Sequence, residues 1–179
     1  MDQTAIELLL TQLIEDWESE IVEFKQADDS YSTSKIGQYF SALSNEANLR
    51  NAEKAWLIFG VDNTTHTTVG SDYRCEKDKL QSLKHQIAQG TEPSITFRNI
   101  HELHTDKGRV LLFEIPAAPR GIPIAWNGHY YARAGESLTS LGLDKLDRIR
   151  LQVGSSDWTA QIITDATIDD LDPTALQKA

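Results

Sequence analysis

One cysteine, Cys75, and one methionine are all the sulfur this chain of 179 residues carries. No intrachain disulfide can form, and no cysteine-based zinc site can be built within a single chain. Long apolar runs are missing too. The longest, such as Val110-Leu111-Leu112-Phe113, are a few residues each, far short of the roughly 20 that cross a bilayer. No membrane partner is expected. The opening Met1-Asp2-Gln3 has neither the basic nor the apolar region of a secretory signal, and the reading is a reducing, cytoplasmic setting. Positive charge is scarce: 17 Lys and Arg face 27 Asp and Glu, for a net charge of −10. Taken whole, that balance argues against a polyanionic partner, whose phosphates want a basic surface. The distribution changes the argument. Residues 1–30 carry −8 and residues 155–179 carry −4, which leaves the body, 31–154, at +2. The acidic ends read as solvated faces, and the body is weakly basic.

Hydrophobic periodicity outlines the body. Ile6, Leu9, Leu10, Leu13 and Ile14 form one stripe of a helix over 4–15. Residues 21–25 alternate as a strand, with Val22 and Phe24 on one face and Glu23 and Lys25 on the other. Ile36, Tyr39, Phe40 and Leu43 mark a helix over 35–47. Residues 55–61, almost continuously apolar, suit a central strand covered on both sides. A short return strand at 67–70 and a helix over 76–89, stopped by Gly90, come next. Two strands, 94–103 and 109–115, are joined by a hairpin at 105–108, and a further strand lies at 129–133. A short helix over 144–151 has Leu143, Leu146 and Ile149 spaced to pack. The predicted fold is mixed α/β, of α+β type: a central mixed sheet of about five or six strands with helices packed on it. The N-terminal helix is read as peripheral. Residues 1–153 form the domain, and 154–179 an acidic tail or linker. Pro173 would open a helix cut short at Ala179, so a longer protein with a further C-terminal domain is expected.

Two constellations carry chemistry. Glu23 and Lys25, two apart on a strand, project from one face. A carboxylate there can hold Mg²⁺ or Mn²⁺, and the ammonium can orient a water or neutralise a phosphate. The plainer reading is a solvated strand face on which Glu and Lys alternate. Asp62 follows the apolar strand, where it could converge with Glu18 and Glu23 on one cation, or simply open an Asx turn. The five histidines show no metal-ligand helical spacing. Trp126, Tyr130 and Tyr131 could stack on bases, although strand aromatics are more often core. Ser41, Ser44 and Cys75 have no visible catalytic base.

Together, Glu18-x4-Glu23-Phe24-Lys25, then Leu43-Ser44-Asn45-Glu46-Ala47, then Trp56-Leu57-Ile58-Phe59-Gly60-Val61-Asp62-Asn63, and later Gly128 to Ser137 around His129-Tyr130-Tyr131-Ala132-Arg133, resemble the Schlafen-type AlbA-like (AlbA_2) domain over about 15–150. The resemblance implies association with DNA or RNA. Bacterial members are described as DNA-binding or transcription-regulating, often with an ATPase-like or helix-turn-helix part after this domain. Eukaryotic relatives include enzymes that cleave RNA with three carboxylates on a metal, which match Glu18, Glu23 and Asp62. Where many members have a Gly-Gly, this chain has a longer turn carrying Arg50 and Lys54. Three readings stand. The first is a nucleic-acid-binding module, the regulatory input domain of a longer transcriptional regulator or ATPase-like protein, contacting phosphate through Lys35, Arg50, Lys54, Arg120 and Arg133 on a face separate from the acidic N-terminal segment. The second is an Mg²⁺- or Mn²⁺-dependent nuclease with Glu18, Glu23 and Asp62 as ligands and Lys25 assisting. The third is a protein-interaction or oligomerisation domain, a homo-oligomer included.

Overall fold

The computed structural model describes residues 2–15 and 20–152. Glu18, the acidic segment 154–179 and the helix start at Pro173 lie outside the described residues. Among those described, eight strands form two four-stranded sheets rather than one sheet of five or six. The first sheet has the order β1 (Val22–Lys25), β2 (Lys54–Phe59), β5 (Gly108–Pro116), β4 (Asn99–Thr105). β1 runs parallel to β2, and the other pairs are antiparallel. The second sheet joins β3 (Thr91–Glu92), β6 (Ala125–Trp126), β7 (His129–Ala134) and β8 (Ser137–Ser140). α1 (Gln3–Glu15), α2 (Thr33–Leu49), α3 (Lys77–Gly90) and α4 (Leu143–Arg150) complete the order.

The apolar run of β2 is covered on both faces, as its composition requires. Ala55, Leu57 and Phe59 pack with α2 and α3, together with Phe113 and Ile115 of β5. Trp56 and Ile58 pack the other way, with Val22, Phe24, Leu112 and the buried Ile6 and Leu10 of α1. The N-terminal helix is therefore not peripheral: it closes one face of the first sheet. Residues 67–70 supply a single bridge, Thr68 to Val61, not a strand. Leu143 was read as a packing residue but is 77% exposed, because it is the first residue of α4 and only Leu146 and Ile149 turn inward.

α2 connects the two parallel strands and has the second sheet on its other side. Twelve of its 17 residues are buried, so its polar side chains face protein instead of water. They bond backbone groups at strand ends and in loops that the ladders leave unpaired. Asn45 donates to Ile124 O (2.9 Å) and Tyr131 O (3.0 Å) and accepts from Ile124 N–H (2.8 Å). Ser41 donates to Ile124 O at 2.7 Å and accepts from Tyr131 N–H at 3.1 Å. Ser44 and Asn48 donate to Pro116 O and Ala118 O, each at 2.8 Å. These residues hold the second sheet to the first.

Trp126 is 6% exposed and seals the same junction. A Cβ at Gly37 of α2 would lie 2.2 Å from its indole, and one at Gly90 of α3 would lie 2.3 Å from it. The ring fills the space that two helical glycines leave, so Trp126 is core and cannot stack on a base. Gly37→Ala is expected to lose about 1–3 kcal/mol through overpacking, despite alanine's better helix propensity. A urea titration followed by near-UV circular dichroism measures it; unchanged stability would show that the indole is not clamped.

Candidate nucleic-acid interface

β1 places Glu23 and Lys25 on the face turned toward α2, opposite Val22 and Phe24, as period two dictates. That face is not solvated. Glu23 is 3% exposed. Its Oε1 is 2.5 Å from Lys25 Nζ, and its Oε2 meets the guanidinium of Arg133, itself 4% exposed. Arg133 also donates to Val22 O (3.3 Å) and Gly135 O (3.2 Å). Lys25 Nζ lies 5.4 Å from the Tyr39 ring centroid. Burial and the nearby Glu23 charge raise the Tyr39 phenol, and the same two causes push the Tyr31 phenol up to about 12. Both phenols therefore stay protonated beside the ion pair.

The carboxylate of Asp62 is bound into its own turn. Oδ1 accepts from Thr64 N–H (2.9 Å), Thr65 N–H (2.7 Å) and the Thr65 hydroxyl (3.0 Å), and Oδ2 accepts from Gln26. The Thr65 and Thr64 amides, then the Thr65 hydroxyl and Gln26, hold this carboxyl down at about 2. Its loop leans on the α1 side of the sheet, where His66 meets Phe24 edge-on at 5.5 Å. Glu23 faces the α2 side. Among the described residues, no three His, Cys, Asp or Glu side chains group to hold a metal ion. Glu23 and Asp62 have their oxygens taken by cations and amides and face different sides of the sheet, so these two do not fit a shared divalent cation.

The five cations do not make one face. Arg133 is buried in the pair with Glu23 and presents nothing to a ligand. Lys54 shares the strand face of Trp56, 5.1 Å from the indole, with its Nζ 3.1 Å from Glu114 on the α1 side. Lys35 is exposed in the first turn of α2, and Arg50 caps its far end. Fifteen residues at 1.5 Å rise separate them by about 22 Å. Arg50 is not separate from the acidic N-terminal segment either: its guanidinium pairs with Glu20. Two of the five lie near one end of α2, in separate clefts. Arg50 lines a cleft of about 310 Å³, and Arg120 lines one of about 270 Å³ with Asn48 and Asn51; the two clefts flank the C-terminal end of α2.

Lys145 and Arg148 of α4 stand in the Arg50 cleft with Glu20 and Glu46. Sequence reading overlooked both, although cations three apart beside the stripe of Leu146 and Ile149 are the signal of a basic helix face. Lys145 Nζ is 2.5 Å from Glu46 Oε1 and 3.0 Å from Arg133 O. Glu46, 2% exposed, also accepts from Arg133 N–H at 3.1 Å. Arg148 is exposed and has no ion pair among the described residues. Among the described residues, three cations against two acids line this cleft.

Residues 18–141 match the family model described as Schlafen, AlbA_2. The chain belongs to that family. Two solved structures are similar to this chain. The DIP2311 protein from Corynebacterium diphtheriae superposes with a TM-score of 0.56 at 17% identity, over 97% of this chain and 33% of that one. This chain thus spans about a third of DIP2311, and the likeness is one of fold. The N-terminal domain of a RecG-related protein from Nitrosomonas europaea reaches a TM-score of 0.46 at 23% identity, over 72% of this chain and 88% of that one. No curated protein matches. No helix among the described residues is long and apolar enough to cross a membrane.

Proposed function

We propose that this AlbA_2 domain is a non-catalytic nucleic-acid-binding module that grips the phosphate backbone at the C-terminal end of α2, as the input domain of a longer regulatory protein. The observation that carries the reading is the cleft in which an exposed Arg148 without an ion pair among the described residues joins Arg50 and Lys145, with Arg120 on the other flank. Such a surface contacts phosphates irrespective of base. The family resemblance supports the ligand class, DNA or RNA. The nuclease alternative, with Glu18, Glu23 and Asp62 on Mg²⁺ or Mn²⁺, would need Arg133 and Lys25 to release Glu23.

The test is binding of labelled duplex and single-stranded oligonucleotides to the full chain between about 50 and 200 mM salt. Affinity should fall with a slope of about −0.9 per phosphate contact on duplex DNA and about −0.7 on single strands. Arg148→Ala should weaken binding about fivefold at the lower salt and reduce the slope by about one contact. Absence of binding at low salt, or an unchanged affinity for Arg148→Ala, would overturn the proposal. Cleavage that appears with Mn²⁺ and vanishes in Glu23→Gln, at a temperature where that variant is still folded, would replace it with the nuclease.

A further inference from the structure

Glu20 precedes β1 and reaches across to the β7–β8 turn. Its Oε1 accepts from the backbone N–H of Gly135 at 3.3 Å, and its Oε2 is bonded by the Arg50 guanidinium. Gly135 is the first central residue of the two-residue turn between Ala134 and Ser137, at φ 59°, the left-handed conformation such a turn demands. Among the described residues, nothing but its chain neighbours lies within 4 Å of where its Cβ would be, so the turn is uncrowded on that side. A guanidinium beside a turn amide is a seat for an oxyanion. Burial works against the Glu20 charge, but the bonds from Arg50 and Gly135 outweigh it and hold the carboxyl below its usual range.

We infer that Glu20 is a built-in competitor: its carboxylate occupies an anion seat made by Arg50 and the Gly135 N–H, and a backbone phosphate of the nucleic acid binds there by displacing it. The inference rests on the binding reading above and adds its regulation. Three observations support displacement. The Glu20 and Arg50 side chains are 24% and 48% exposed, so the pair is open to solvent, and exposed pairs are weakly held. The Arg50 side of the seat lines the same cleft as Lys145 and Arg148, so neighbouring phosphates of a strand gain contacts that a lone carboxylate lacks. The other acid of the cleft, Glu46, is fixed by Lys145 and the Arg133 N–H and is buried. Of the two acids among the described residues of the cleft, Glu20 is the one placed to leave.

The experiment measures binding of a single-stranded oligonucleotide of about 20 residues to the full chain at about 50 mM salt. Glu20→Gln should bind about fivefold tighter than the parent. Glu7→Gln removes the same charge from an exposed position of α1 and should change affinity less than about twofold. Glu20→Asp, which withdraws the carboxylate by one methylene, should fall between. Adding Arg50→Ala to Glu20→Gln should abolish the gain. If the parent binds and Arg148→Ala weakens it, but Glu20→Gln matches Glu7→Gln, the competition is refuted and the binding surface stands. If neither the parent nor any variant binds, the binding reading fails and the competition falls with it.

Discussion

Arg133→Met should destabilise the domain by about 3–5 kcal/mol, the usual effect of stranding one partner of a buried ion pair. For a domain of this size that lowers the melting temperature by about 10 °C. The reason is the company Glu23 would keep. It is 3% exposed, and without Arg133 the one cation left paired with it among the described residues would be Lys25. Glu23→Gln should also destabilise, by leaving the Arg133 guanidinium without its countercharge. The double variant Glu23→Gln, Arg133→Met should recover much of the sum, since two neutral groups of similar size replace two charges. Urea unfolding of the three variants reads the coupling directly. Strictly additive losses would show that the two charges do not meet. A stability loss in Glu23→Gln also warns against reading any lost activity of that variant as loss of a metal ligand.

Asn45→Ala should have the second-largest effect, about 3 kcal/mol. The substitution leaves Ile124 N–H and Tyr131 O without the bonds that Asn45 gives them. Each buried group left unpaired costs about 1–3 kcal/mol. Ile124 O keeps its bond from Ser41, and Tyr131 N–H keeps its bond to the same hydroxyl. Hydrogen exchange therefore separates the outcomes. The Ile124 amide should lose protection beyond the global change, while the Tyr131 amide should track it. Equal loss at both would mean that the second sheet has moved as a body and that Asn45 does not act locally.

Much of the fold was legible because period and burial agree in it. The helices at 4–15, 35–47 and 76–89 and the strands at 21–25, 109–115 and 129–133 all appear within a few residues of their expected bounds. The two-faced burial of β2 followed from its unbroken apolar run. The division into two sheets was not legible, because α2 carries its second interface in serines and asparagines, and a polar helix face ordinarily means water. The strand parity of Glu23 was right and its environment was not. What covers it is Arg133, 110 positions later, and no local pattern announces a partner that distant. Asp62 could be read as a turn carboxylate or a ligand, and the bonds from Thr64, Thr65 and Gln26 show it capping its turn. Arg50 kept the exposure expected of it, while Arg133 and Lys54 were taken up by buried acids on opposite faces of the first sheet.

The bonds of α2 also set a schedule for synthesis. Ser41 and Asn45 wait for Ile124, Glu46 waits for Arg133 and Lys145, and the separations run from 79 to 99 residues. When β1, α2 and β2 have left the ribosome, the chain holds a helix with five polar side chains between residues 41 and 48 whose partners do not yet exist. Docked on β2 alone, that helix buries Ile36, Phe40 and Leu43 while its polar side stays in water, at no desolvation cost. The junction between the two sheets thus closes only after β7 and α4 emerge, when nearly the whole domain is available to fold around α2.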